Sequence, residues 1–287
     1  MPQSNTAKAV ILARGLGTRM RQQDPTPATP GTPATGTPAA SATSEAQARV
    51  ASEGIKAMIP IDRPFLDYVL TNLADAGYRQ VCLVIGPEHE QIRDYYTRQA
   101  TPKRLAIEFA IQQQPRGTAD AVAAAEAFAG RDAVLVINSD NYYPLEAFER
   151  VGELAGSGLA AFSLAAMAEA SNIEPERLNK FGLVQVDDAG RLVRVIEKPD
   201  DATRQAMGEP SVSMNCWRFT PTIFEACRRI EPSPRGEYEI TDAVNCAMTE
   251  LGEVFEAVAV HAPVLDMSYR HDIATVAQRL AGTRCAF

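Results

Sequence analysis

The sequence predicts an α/β fold, with a largely parallel sheet sandwiched by helices followed by a mixed α+β half. Three observations carry that prediction. Short apolar runs alternate with helix-like segments through the first half of the chain. The first of these runs opens directly into a glycine loop. After about residue 160 the rhythm changes to strands with short connections.

The elements follow in order. Ala9–Ala13 is a buried parallel strand by type, and Arg14-Gly15-Leu16-Gly17-Thr18-Arg19 turns backbone N–H groups beyond the sheet edge. Gly15 and Gly17 allow positive φ and close approach to a ligand. Arg19 and Arg21 beside those amides make that ligand anionic, most economically a triphosphate, although a plain tight turn explains the same residues. Gln22–Thr43 carries a Pro/Thr/Ala/Gly tract that cannot pack a core, and reads as a disordered surface loop or as a flexible lid over the phosphate site. Ser44–Glu53 reads as a short helix, capped by Ser44 and stopped by Gly54. Helices are expected at Phe65–Ala76, His89–Arg98 and Ala119–Ala129, and strands at Gln80–Ile85, Ala106–Ile111 and Ala133–Ile137. The second half offers strands at Leu159–Ala166, Gly182–Asp187, Leu192–Glu197 and Val212–Phe219, with Asp187-Asp188-Ala189-Gly190 as a hairpin turn. Helices at Pro221–Arg229 and Ile240–Leu251, a strand at Val254–Val260 and a closing helix from about Ile273 complete the chain.

No linker separates the halves, so 1–287 reads as one domain. Residues 1–160 form a nucleotide-binding half interrupted by the 22–43 insertion, and 161–287 a second lobe. A hydrophobic content of 46% with 22% charged residues is enough for a sizeable core. The net charge of −8 argues against nonspecific nucleic-acid binding, yet a local basic cluster can still focus potential on a phosphate substrate. Five scattered cysteines with no CxxC read as reduced, intracellular and mostly core. MPQSNTAKAV lacks the features of a signal peptide, and no apolar run approaches the ~18–20 residues of a membrane span. The expectation is a cytoplasmic protein with no membrane partner.

Further motifs give the glycine loop its meaning. Lys56 opens KAMIPI and reads as a second phosphate cation, against the plainer reading of a solvated boundary residue. Gln112-Gln113-Gln114 precede Gly117 and an Ala-rich helix; glutamine amides carry both a donor and an acceptor for base edges, and Gly117 lets the backbone approach a flat ring. The same stretch also reads as a helix capped by Thr118. Val134–Ile137 is a buried strand running into Asn138-Ser139-Asp140-Asn141, which puts a carboxylate where α/β sheets hold ligands. Oxygen ligands beside phosphates point to Mg²⁺, and Asp266 is a candidate second carboxylate.

Taken in order, GLGTR, KAMIPI, GTADA, a strand ending in Asp140-Asn141, FGLVQVDDAGRLVRVIEKP and GEYEITDAV resemble the sugar-1-phosphate nucleotidyltransferases, the glucose-1-phosphate thymidylyl-, uridylyl- and adenylyltransferase group. The likeness runs from Ala9 to about Ile273. It implies a three-layer α/β/α Rossmann-like nucleotide-diphospho-sugar transferase fold, with a mixed, mostly parallel sheet and a small α+β sugar-binding lobe. It implies that an NTP and a sugar 1-phosphate give an NDP-sugar and pyrophosphate with Mg²⁺. Gly15, Gly17, Thr18, Arg19 and Lys56 then hold the NTP phosphates, and Gln114 and Gly117 lie where the base is read. Asn141, Gly182, Glu197, Lys198 and Asn215 serve the sugar phosphate, and Asp140 and Asp266 the metal. Arg19, Lys56 and Lys198 are the catalytic cations. Relatives often form dimers or tetramers, so a homo-oligomer is implied. The left-handed β-helix of bifunctional members is not expected, because the chain stops at Phe287.

The pattern is broken in places. Arg14 stands where Ala or Gly is usual, and either adds a phosphate contact or points to solvent. Phe181 replaces a Tyr, and Ser268 replaces the glycine after the second metal acid, so that loop is expected to take a different path. His89, His261 and His271 lack metal spacing, and Cys216 reads as a packing residue. An NAD-dependent dehydrogenase would want a third glycine where Arg19 and Met20 stand. The alternative that stays open is a catalytically degenerate regulatory subunit that binds nucleotide or sugar phosphate.

Overall fold

The structure is a computed structural model that describes residues 7–22, 43–179, 181–196, 200–207 and 210–287. Most of the Pro/Thr tract, together with Glu197 and Lys198, lies outside the described residues.

In chain order the first half comprises β1 (Lys8–Leu12), α1 (Thr18–Arg21), α2 (Glu45–Glu53), a 3-10 turn at Lys56–Met58, α3 (Phe65–Asp75), β2 (Gln80–Ile85), α4 (Glu90–Asp94) running into a wider π turn at Tyr95–Gln99, β3 (Ala106–Ile111), α5 (Thr118–Ala124), α6 (Glu126–Ala129), β4 (Val134–Asn138), β5 (Asn141–Tyr142) and α7 (Leu145–Gly152). The second half comprises β6 (Ser157–Ser163), α8 (Leu164–Ala170), α9 (Pro175–Leu178), β7 (Leu183–Val186), β8 (Leu192–Ile196), α10 (Asp201–Ala206), β9 (Ser211–Phe219), α11 (Thr222–Arg229), α12 (Ile240–Glu250), β10 (Phe255–Val260), β11 (Leu265–Asp266) and α13 (Asp272–Leu280).

The sheet runs β10-β6-β9-β4-β1-β2-β3, with β7 on β9 and β8 on β7. β1 pairs in parallel with β2 and β4, and β2 with β3. β9 is the reversed strand: it pairs antiparallel with β4 (Val134↔Phe219) and with β6, and so joins the two halves of the sequence in one sheet. Side-chain alternation builds a core on each face. Ala9 and Ile11 face a core shared with Leu66, Leu70 and Phe148, whereas Val10 faces one shared with Val122, Phe224 and Ala243.

Several boundaries differ from the sequence expectation. The strand expected to reach Ala166 stops at Ser163, whose hydroxyl accepts the Ala166 N–H (3.4 Å) and caps α8. The helix expected over Ala119–Ala129 is interrupted at Ala125, which leaves the α conformation with φ −92° and ψ 6°. Helices α7 to α10 were not anticipated. α7 packs through Ala147, Phe148 and Val151, a single apolar stripe too short to stand out against the strands beside it. α2 begins at the expected cap: Ser44 and Gln47 exchange a reciprocal capping box, and Gly54 ends the helix in the left-handed region.

Candidate active site

The C-terminal edges of β1, β3 and β4 frame a cleft of about 410 Å³. Its walls are the glycine loop after β1, the Gly54–Ala57 segment after α2, the loop after β3, the end of β4, Asn215 of β9 and two acids before α12, Glu237 and Glu239.

The glycine loop is held by backbone contact. Gly17 has φ +59°, and a Cβ there would lie 2.2 Å from the Gly54 carbonyl oxygen. Only glycine lets α1 and the end of α2 approach so closely. Arg21 Nη2 donates to the Glu53 carbonyl at 2.9 Å across the same contact. Thr18 and Arg19 follow on the exposed rim, with Arg19 over the Tyr269 ring at 5.7 Å. Gly117 has φ +117° and packs so tightly on Tyr238 that a Cβ would lie 2.4 Å from its carbonyl oxygen. The Ala119 N–H donates to that oxygen (2.9 Å), and Ile240 N–H donates to Thr118 Oγ1 (2.9 Å). Two motifs more than 110 residues apart, GTADA and GEYEITDAV, are therefore one wall.

Lys56 and Asp140 meet across the cleft floor, with Nζ donating to Oδ2 at 2.7 Å. Beside them β5 pairs antiparallel with β11, setting Asp266 opposite Asn141, and the Met267 N–H donates to the Asp140 carbonyl at 2.8 Å. Asp266 is 4% exposed. Burial, then the neighbouring carboxylates of Asp140 and Asp272, push its carboxyl up to about 6. It is nonetheless fully engaged: Arg177 donates to Oδ2, while Asn141 Nδ2 (2.9 Å) and Ser268 Oγ (3.0 Å) donate to Oδ1.

Of the residues singled out from sequence, Gly15, Gly17, Thr18, Arg19, Lys56, Gly117, Asp140 and Asn215 line the cleft. Asn215 has φ +54°, alone among the described non-glycine residues, and Trp217 Nε1 donates to its side chain at 3.2 Å. Gln114 does not line the cleft: it is exposed and accepts from Arg116 Nε at 3.0 Å. Gln112 stands on the wall in its place, because it directly follows β3 and its Nε2 is held by the Gly117 carbonyl (3.0 Å) and Asp120 (2.8 Å). Asn141 is buried behind Asp140, between Asn138 and Asp266, rather than facing the cleft. Gly182 is also buried away from it, its carbonyl accepting from Ser213 N–H at 3.0 Å. Glu197 and Lys198 lie outside the described residues.

Arg14 does not point to solvent, and it lines the cleft. Its guanidinium is buried and donates through Nη2 to Glu88 (3.2 Å) and to the Gln113 carbonyl (3.4 Å), because the end of β2 offers the nearest carboxylate. His89 is likewise buried, its Nδ1 accepting the Gly86 N–H at 3.3 Å, and burial lowers its pKa. His271 comes near Glu174 and Asp272, although no sequence spacing joins the three. Cys216 is buried, and burial alone raises its thiol pKa. Arg177 escaped the sequence reading altogether; PERL on a four-residue helix carries no signal that it will reach Asp266.

The sequence profile of the nucleotidyl transferase family matches residues 50–262, most of the chain. The chain belongs to the nucleotidyl transferase family. The family suggested by the motif order is thus the one found, and the protein is an enzyme of the nucleotidyltransferase class. Among curated relatives, the nucleotidyltransferase is 27% identical over 274 residues to the UTP–glucose-1-phosphate uridylyltransferase AglF of Haloferax volcanii, covering 95% of this chain and 96% of that one. It is 29% identical over 240 residues to a glucose-1-phosphate thymidylyltransferase of Streptomyces antibioticus, covering 83% of this chain and 56% of that one. It spans about half of the bifunctional protein GlmU of Aquifex aeolicus (52%, at 26% identity over 94% of this chain). Among solved structures, a UDP-glucose pyrophosphorylase complexed with UDP-glucose superposes with a TM-score of 0.69 at 18% identity, over 97% of this chain and 100% of that one. The nucleotidyltransferase shares that fold, as the Rossmann-like expectation required. Among the described residues, no helix is long and apolar enough to cross a membrane.

Proposed function

We propose that this nucleotidyltransferase couples an NTP to a sugar 1-phosphate, giving an NDP-sugar and pyrophosphate, with 1–287 acting as one domain. The observation that supports it best is the convergence of the glycine loop, Lys56 and Asp140 on one cleft at the carboxyl edge of parallel strands.

The chemistry asks for positioning and charge rather than a covalent intermediate. A sugar 1-phosphate is largely dianionic at pH 7, its second pKa being about 6, so its oxygen needs no general base. That oxygen attacks the α-phosphorus in line; the new O–P bond forms as the bond to the β-phosphate oxygen breaks, and the electron pair leaves with pyrophosphate. Gly15, Gly17 and Thr18 present backbone donors to the triphosphate, and Arg19 on the rim with Lys56 on the floor take up the charge of the leaving group. Gln112, rather than Gln114, faces the base together with Gly117, while Asn215 closes the side toward the sugar. Glu197 and Lys198 keep the sugar-phosphate roles that the motif resemblance implies.

Asp140 and Asp266 form an oxygen-only donor pair whose mutual repulsion a hard divalent cation would relieve, so the residues fit Mg²⁺. When bound, that ion would supply charge neutralisation among the phosphates.

The test is pyrophosphate release across a grid of NTPs and sugar 1-phosphates, with Asp140→Asn as the blank. One bright pair, lost in the variant, is the expected result. A dark grid with saturable nucleotide binding would support the regulatory-subunit reading, which the full engagement of Asp266 favours.

A further inference from the structure

Arg177 of α9 joins three carboxylates. Its Nη1 donates to Glu174 Oε2 (3.0 Å) and Asp272 Oδ1 (2.7 Å), and its Nη2 donates to Asp272 Oδ2 (3.2 Å) and to Asp266 Oδ2. We propose that Arg177 is a displaceable internal cation: it holds the Asp266 side chain until a divalent cation at Asp140 draws that carboxylate away. Metal binding at Asp266 and the Arg177–Asp266 pair then exclude one another. The proposal rests on the reading of Asp140 and Asp266 as the metal carboxylates.

Three features make the exchange physically reasonable. A guanidinium and a divalent cation are alternative counter-charges for the same oxygen, and their mutual repulsion keeps both from holding it at once. Arg177 has somewhere to stay, because Glu174 and Asp272 retain it and its guanidinium lies over the Tyr269 ring at 4.6 Å. The Asp266 backbone is already fixed beside Asp140. Its N–H donates to Asn172 Oδ1 (2.8 Å), its carbonyl accepts from Asn172 Nδ2 (2.7 Å), and the β5–β11 pairing sets the register. Asp266 is not among the residues lining the cleft, so the exchange turns its side chain from Arg177 toward Asp140 while the backbone register holds. Ser268 Oγ donates to Asp266 Oδ1 as well (3.0 Å) and strengthens the closed arrangement.

The experiment is Mn²⁺ titration of the full chain without nucleotide, read by the loss of the free-ion EPR signal. The panel is the unaltered chain, Arg177→Gln, Asp266→Asn, the double variant and Asp140→Asn. Arg177→Gln is expected to bind Mn²⁺ on the order of tenfold more tightly, and the gain is expected to vanish in the double variant measured against Asp266→Asn. A folded Arg177→Gln with unchanged or weaker affinity overturns the proposal. So does a gain that survives without Asp266, which would be a through-space charge effect. If Arg177→Gln does not fold, Arg177→Lys replaces it with the same outcomes, since lysine keeps a charge beside Asp272 but lacks the fork that also reaches Asp266. Should Asp140→Asn leave Mn²⁺ binding of the otherwise unaltered chain untouched, the metal-site reading itself fails. Loss of binding in Asp140→Asn with no gain in Arg177→Gln removes the displacement alone.

Discussion

Asp266→Asn is expected to make the folded chain less sensitive to rising pH. Burial and two neighbouring acids hold the Asp266 carboxyl near 6, against 3.8 for a free aspartate, even with Arg177 beside it. A carboxyl whose folded-state pKa lies above its unfolded value favours folding while it is protonated. That contribution is fully present below about 3.8 and is lost as pH rises through about 6. The difference corresponds to on the order of 3 kcal/mol once both states are ionised. Roughly half of it, on the order of 1 kcal/mol, develops between pH 5 and pH 8. Asparagine cannot ionise, and the pairing of the ionised carboxylate with Arg177 is already contained in the wild-type pKa, so the pH-dependent part of the difference follows from that shift. Urea unfolding of wild type and variant at pH 5 and pH 8 in EDTA is the assay. The unfolding free energy of the variant relative to wild type should rise by that amount, on the order of 1 kcal/mol, toward pH 8. A difference that stays flat, or falls toward pH 8, refutes the claim that burial and its ionised neighbours raise the Asp266 carboxyl. Saturating Mg²⁺ at pH 8 should then stabilise the wild type more than the variant.

Other expectations can be checked on the same preparations. Gly17→Ala places a side chain at φ +59° and 2.2 Å from the Gly54 oxygen, so it should cost at least 1–2 kcal/mol by thermal melting and weaken nucleotide binding; wild-type affinity would show that the loop does not cradle phosphates. Asp67 is fully buried and accepts from Tyr96 OH (2.8 Å), Arg63 Nε (2.8 Å) and Tyr95 OH (3.0 Å), so Asp67→Ala should destabilise by about 3–5 kcal/mol, and a loss below 1 kcal/mol would contradict the network. Gln112→Leu should raise the KM for NTP without changing that for the sugar phosphate, whereas Gln114→Leu should change neither; the reverse pattern would restore Gln114 as the base reader.

The sequence was most legible where chemistry and strand periodicity coincide. β1 with its glycine loop, β4 running into Asp140, and the capped helix α2 could be read because one local rule dictates each. Gln112 was harder to separate from Gln114, since three consecutive glutamines look alike until the end of β3 and the Asp120 contact fix which one turns inward. Asn141 illustrates another limit. The pairing of β5 with β11 closes over 120 residues of sequence, and that pairing turns its amide toward Asp266 instead of the cleft. Arg177 was invisible for the same reason, because its partners at 266 and 272 are distant and its own helix is a single turn.

The same long-range logic explains how the glycine loop can tolerate a long connection to α2. Between Gln22 and Thr43 the chain interposes a Pro/Thr/Ala-rich stretch, yet closing a loop costs only about 0.6 kcal/mol more for each doubling of its length. The segments on either side are joined by contacts worth more than that. Val50 and Ala51 of α2 are buried, Gly17 and Gly54 touch backbone to backbone, and Arg21 donates to Glu53. Arg270, from the loop after Asp266, donates through Nε to the Met20 carbonyl (2.9 Å) and through Nη2 to Ser52 Oγ (2.8 Å), tying both segments to the loop that follows Asp266. The position of the glycine loop is therefore set by what it packs on, not by the length of chain that follows it. A shortened connection that still spans the gap should leave nucleotide affinity unchanged, whereas Arg270→Ala should weaken it with the full connection intact, as nucleotide titration of the two variants would show.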